Sequence, residues 1–121
     1  MLTTTEANDF ARQWIAAWNA HDLPLIMNHY SDDIVFSSPF VSKIANESSG
    51  TLRGRAAVLQ YFGEALQRFP SLRFQLRAVL IGIETLTILY ESVNGLLAAE
   101  TALLNGAGRI TRVWAQYDRV E

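Results

Sequence analysis

The sequence contains no cysteine. That excludes disulfides, thiolate metal ligands and cysteine nucleophiles together. It also has no basic run. Arg53, Arg55, Arg68, Arg73, Arg77, Arg109 and Arg112 are scattered, and 10 basic residues are set against 12 acidic ones for a net charge of −2. A nucleic-acid groove needs clustered cations, so no nucleic-acid partner is expected. No apolar run reaches the roughly 20 residues of a membrane span, so no membrane partner is expected. The N-terminal MLTTTEAND has neither the positive nor the apolar region of a secretory leader, and the expected compartment is the cytoplasm. The only histidines, His21 and His29, have no H-x-x-x-H spacing and no carboxylate cluster beside them, so no metal site and no cofactor is expected.

What is present is ordinary for a globular chain. Half of the 121 residues are hydrophobic and 18% are charged. That composition suits one domain over residues 1–121 with a real core. Trp14 and Trp18 are four residues apart, which on a helix puts both rings on one face. Thr3-Thr4-Thr5-Glu6 has capping-box spacing and starts that helix, which runs to about Ala20. Asp22 caps a second helix with Pro24 in its first turn and Leu23, Ile26, Met27 and Tyr30 on its inner face. Ser31-Asp32-Asp33 reads as a turn, Ile34 to Ser38 as a strand stopped by Pro39, and residues 42–54 as a polar loop. Gly54 opens a third helix to about Phe69, with Val58, Leu59, Phe62, Ala65, Leu66 and Phe69 on its buried side, and Pro70 stops it.

After Pro70 the period changes from 3.6 to 2. Leu72, Phe74 and Leu76 alternate with Arg73, Gln75 and Arg77, and this strand continues through Ile81. Strands from Leu86 to Val93, Leu96 to Leu104 and Ile110 to Asp118 follow. Asn94-Gly95 is a strong type I′ hairpin signal. The expected class is α+β: three N-terminal helices packed on a curved antiparallel sheet, a cone with an apolar pocket. Trp14, Trp18, Tyr30, Phe36, Phe40, Phe62, Leu66 and Tyr117 are the candidate pocket wall and the ligand a small apolar molecule; plain core packing is the alternative for each.

Glu100 is the only charge in an apolar strand. A two-residue turn at Asn94-Gly95 would pair Leu89 with Glu100 and Glu91 with Ala98, putting Glu91 and Glu100 diagonally on one face. Two carboxyls in a dry cleft cannot both ionise easily, so the pair is a candidate acid–base site. The alternative is that Glu100 meets Arg112 or a buried hydroxyl. His29 reads as a helix-end cap, and Asp32 as turn chemistry that could reach the pocket. On the last strand Tyr117 and Trp114 take opposite faces. An outward Trp114, with Arg112 and Gln116, suits a homodimer formed through the sheet.

WNAHD on a helix, YSDDIVFSSP, G-x-L-x-G-R before a helix, and NGAGRI before a last strand resemble the nuclear transport factor 2-like superfamily, in particular its SnoaL-like branch. The resemblance spans roughly Glu6 to Asp118. It implies a cone-shaped fold shared by ketosteroid isomerase, polyketide cyclases, dehydratases, epoxide hydrolases and non-catalytic binding or dimerising domains. The isomerase's general base, an aspartate before the proline that ends the first strand, corresponds to Ser38. Its two tyrosines correspond to Trp14 and Phe62, and its protonated aspartate to Glu100. A serine with no adjacent base cannot abstract a carbon acid's proton near neutral pH, so isomerisation by that mechanism is not expected. The resemblance leaves a cofactor-independent isomerase, cyclase or hydrolase, with Glu100 as acid and Glu91 as partner, or a non-catalytic module.

Overall fold

The computed structural model describes residues 1–120. Helix α1 (Thr4–Asn19) and a short α2 (Leu23–Met27) precede strand β1 (Tyr30–Ser37). A helical turn α3 (Val41–Ile44), a short strand β2 (Thr51–Arg53) and helix α4 (Arg55–Arg68) come next. Strands β3 (Gln75–Gly82), β4 (Thr85–Glu91), β5 (Leu97–Leu104) and β6 (Ile110–Tyr117) complete the chain. They form one curved, unclosed six-stranded sheet in the order β2-β1-β6-β5-β4-β3. The meander from β3 to β6 is antiparallel, as expected. The sheet as a whole is mixed, because β1 lies parallel to β6. A parallel neighbour needs a long crossover, and the whole stretch from α3 to β5 supplies it. No helix among the described residues is long and apolar enough to cross a membrane.

Local chemistry sets the helix ends. Thr3 Oγ1 accepts from the Glu6 N–H at 3.1 Å, while the Thr3 N–H donates to Glu6 Oε1 at 2.9 Å, a reciprocal capping box. The buried stripe of α1 is Ala7, Ala11, Trp14, Ala17 and Trp18. At its end Asn19 holds the helix to the sheet, donating to the Phe74 carbonyl at 2.9 Å and accepting from the Phe74 N–H at 2.6 Å. The Asp22 carboxylate caps α2 by accepting from the Leu25 N–H at 3.1 Å. Gly54 turns into α4 at φ +89°, where a Cβ would be strained. Arg55 then donates to the carbonyls of Met27 at 3.0 Å and Tyr30 at 2.9 Å, pinning the start of α4 to the start of β1. Leu59, expected inside, is exposed.

Three segments depart from the sequence reading. Tyr30 begins β1 instead of ending α2, and Asp32 and Asp33 are exposed strand residues, not a turn. Tyr30 pairs with Ile110 and Val35 with Arg112, so Ser31 to Asp33 lie in the irregular stretch between, where the Ser31 hydroxyl donates to Asp33 Oδ1 at 2.7 Å. Residues 42–54 are not a plain loop, since they hold the end of α3 and all of β2, which pairs along Val35 to Ser37.

The third departure is the hairpin. Asn94 and Gly95 do take positive φ, 57° and 71°, and the Leu96 N–H closes the turn on the Val93 carbonyl at 3.2 Å. The Leu96 carbonyl, however, accepts from the Ser92 N–H at 2.7 Å. Two residues of one strand thus oppose one of the other, which is a bulge. The register beyond it shifts by one, to Ile88 with Glu100, Tyr90 with Ala98 and Glu91 with Leu97.

Trp14 joins helix to sheet. It is 2% exposed, stacks on Phe74 at 5.7 Å and meets Tyr90 edge-on at 5.2 Å between ring centroids. Its indole N–H donates to the Tyr30 hydroxyl at 2.9 Å. Trp14→Ala is expected to lower the unfolding free energy by about 3–5 kcal/mol in chemical denaturation. Arg12→Ala, on the exposed side of the same helix, is expected to change it by less than about 0.5 kcal/mol.

Candidate functional site

The curved sheet and the helices enclose a cavity with about 180 Å³ of space that the centre of a water molecule can occupy. Of the expected wall, Trp14, Trp18, Phe36, Phe40, Phe62 and Tyr117 border it. Tyr30 and Leu66 do not. Tyr30 is fully buried and takes the Trp14 hydrogen bond, and Leu66 is half-buried against the core. Tyr61, Phe74 and Tyr90 were missed and belong to the wall. Phe74 was legible as the inward residue of an alternating strand. Tyr90 was not, because the one-residue bulge exchanges it with Glu91. Alternation along β6 places Tyr117 inward and Trp114 outward, as expected.

Glu100 borders the cavity from β5 and is buried. The Tyr90 hydroxyl donates to its Oε1 at 3.0 Å. Among the described residues no ion pair includes Glu100. Burial in this apolar setting pushes its carboxyl up to about 7, against a smaller downward pull from the Tyr90 hydrogen bond. Burial likewise pushes the Tyr61 phenol up to about 12, and it also raises those of Tyr30, Tyr90 and Tyr117. At neutral pH the phenols therefore keep their protons, and Tyr90 donates to a carboxyl that burial holds well above its ordinary range. The arrangement can hold a carbonyl or hydroxyl and exchange a proton with it.

Glu91 does not join this site. The register shift sends it to the outer face of the sheet, where it pairs with Arg77 at 3.3 Å, both side chains nearly half exposed. Arg112 does not reach Glu100 either. It lies on the outer face, donates to the Val35 carbonyl at 3.3 Å and the Ser37 hydroxyl at 3.0 Å, and covers the Trp114 ring at 4.4 Å. Of the alternatives for Glu100, the buried hydroxyl is the one observed. Ser38 is buried at the turn after β1, and its Oγ accepts from the Phe40 N–H at 3.2 Å. His29 Nδ1 lies 3.1 Å from the Leu25 carbonyl at the end of α2, and His21 Nε2 lies 2.9 Å from the Leu72 carbonyl. Neither histidine borders the cavity, nor does Asp32. The Trp18 indole N–H is buried with no hydrogen-bond partner among the described residues.

A curved sheet packed against helices defines a class of small α+β domains, and in that fold the chain is similar to known proteins. The SnoaL-like domain family model matches residues 11–111, and the chain belongs to that family. A SnoaL-like protein of unknown function from Burkholderia thailandensis is 41% identical, with a TM-score of 0.93 over 97% of this chain and 98% of that one. A proposed polyketide cyclase, IdmH from Streptomyces antibioticus, is 17% identical at a TM-score of 0.75 over 93% and 92% of the two chains. A proposed ketosteroid isomerase from Kribbella flavida is 15% identical at 0.72 over 95% and 79%. At those identities the last two share the fold alone. No curated protein matches in sequence.

The raised Glu100 carboxyl has a stability consequence with a defined sign. The folded state holds this proton more tightly than the unfolded chain, whose ordinary value is 4.5. Its contribution is full below about pH 4.5 and is lost as the pH rises through about 7. Stability is expected to fall across that window by up to about 1.4 kcal/mol per pH unit, and Glu100→Gln is expected to flatten the fall. Chemical denaturation at several pH values measures both. An identical slope in the variant would show that the carboxyl is not perturbed.

Proposed function

We propose that the chain binds a small, mostly apolar molecule in the aromatic cavity and that Glu100 exchanges a proton with it. The observation that carries this reading is a carboxyl buried without an ion-pair partner at the wall of that cavity. Burying a carboxyl with no counter-charge is costly, and such perturbed groups cluster at functional sites. An acid–base group serves best with a pKa near the working pH, which is where burial holds this one. The chemistry supported is a cofactor-independent isomerase, cyclase or hydrolase step. In its simplest form the carboxylate takes a proton from the carbon beside a carbonyl and returns it to a carbon of the same molecule, with no net redox change. Tyr90 orients the carboxyl through its hydrogen bond.

A second reading is a non-catalytic binding module. It is favoured by Ser38, which stands where the related isomerase carries its base and is engaged with a backbone N–H of its own turn. 2-Tetralone in D₂O separates the two. Binding is expected to quench the fluorescence of Trp14 and Trp18, which border the cavity. Deuterium uptake at the carbon beside the carbonyl, followed by NMR, is expected to accelerate with the wild type and to fall about 100-fold in Glu100→Gln. Binding without accelerated uptake would leave only the module; no binding by this or similar ketones would remove both.

The outer face of the sheet supports a homodimer. Leu80 on β3, Leu97 on β5 and Trp114 on β6 are each more than 40% exposed there. Sedimentation velocity at micromolar concentration is expected to show a dimer, and Trp114→Glu to shift it to monomer. A wild-type monomer would count against this.

A further inference from the structure

The aromatic cavity adjoins a second, polar groove. The two share Phe69, Leu72, Ser92, Val93 and Asn94, so the groove runs directly beside the cavity, and Glu100 borders the cavity but not the groove. It offers about 360 Å³ to water centres and is bordered by Arg68, at the end of α4, and Arg73, just before β3. Among the described residues no acidic one borders it. Among the described residues neither arginine takes part in an ion pair, a property they share with most of the chain's cations, so what sets them apart is that both border one groove. A third guanidinium, Arg119, borders the cavity and donates to the Asn94 carbonyl at 2.8 Å. The chain carries a net charge of −2, so this cationic rim is a local feature and not a general excess. Arg68 in the last turn of α4 also suits the helix dipole. Arg73 lies outside any helix and has no such role.

The cavity holds Glu100, which disfavours a second anion there. The groove has the opposite character. We propose, resting on the reading that the cavity binds an apolar molecule, that its ligand is amphipathic. An anionic end, a carboxylate or a phosphate, lies in the groove against Arg68 and Arg73, and the apolar body extends inward toward Glu100. The two ends of the site then admit such a ligand in one orientation. Guanidinium groups are suited to both anions because their planar donors match either one in a two-pronged contact.

Three compounds with one shared body test this: 4-(2-naphthyl)butan-1-ol, 4-(2-naphthyl)butanoate and the phosphate monoester of the alcohol. Each is titrated calorimetrically into the intact chain at low ionic strength. At least one anion is expected to bind about tenfold or more tightly than the alcohol, and which anion wins identifies the end group. The advantage is expected to shrink in high salt. The double variant Arg68→Gln/Arg73→Gln, both exposed positions, is expected to lose it while binding the alcohol as before. Equal affinity for alcohol and anions, or an advantage that survives the double variant, overturns the inference and leaves the cavity reading standing. If none of the three binds, the cavity reading fails and this inference with it.

Discussion

Two indoles on one face of a helix must be buried, and they are too large and rigid to lie between that helix and a flat sheet. Trp14 and Trp18 meet this constraint by entering the hollow of a curved sheet, where Phe74 contacts both rings. The sheet's inner face is adapted to receive them. Ala98, Ala102 and Ala115 are small, so β5 and β6 leave room, while Tyr90 and Phe36 close the sides. The hydrogen bond from Trp14 to Tyr30 then ties α1 to the first residue of β1.

The chemistry of the cavity depends on a single extra residue. The bulge at Ser92 and Val93 rotates β4 by one position against β5. It brings a phenol beside Glu100 and sends Glu91 to solvent and to Arg77. Without it two carboxyls would face each other. With it, one carboxyl is hydrogen-bonded by a neutral donor, and desolvation alone, not mutual repulsion, raises its pKa. These environments imply different mechanisms: a carboxyl pair shares a proton, whereas a single carboxyl gives and takes one from its ligand. The same turn places Asn94 between the cavity and the groove, where Arg119 is anchored to its carbonyl. The register of one hairpin therefore sets both ends of the site.

Much of this protein was determined by sequence alone. Helix starts at Thr3 and Asp22, the stop at Pro70, the change of period after it and the inward and outward faces of β6 all follow from neighbours within a few residues. So does the Asn94-Gly95 turn itself, whose positive φ angles are a local property. Glu100 was visible as a lone charge in an apolar strand. Only the tertiary structure decided what met it. Whether Tyr90 or Glu91 shares its face depends on one unpaired residue in a ladder, and side-chain alternation carries no record of such an insertion. The same holds for Ser31 to Asp33, whose local preference is a turn and which lie between Tyr30 and Val35, the points where β1 meets β6 some eighty residues further along the chain. It holds too for the groove at Arg68 and Arg73, which are unremarkable in sequence and border a groove only because Ser92 to Asn94, from the distant β4–β5 turn, form its other wall. Local chemistry settles periods, caps and turns because its partners are close in the chain. Pairing register and the meeting of distant side chains are settled by packing, which the local pattern does not encode.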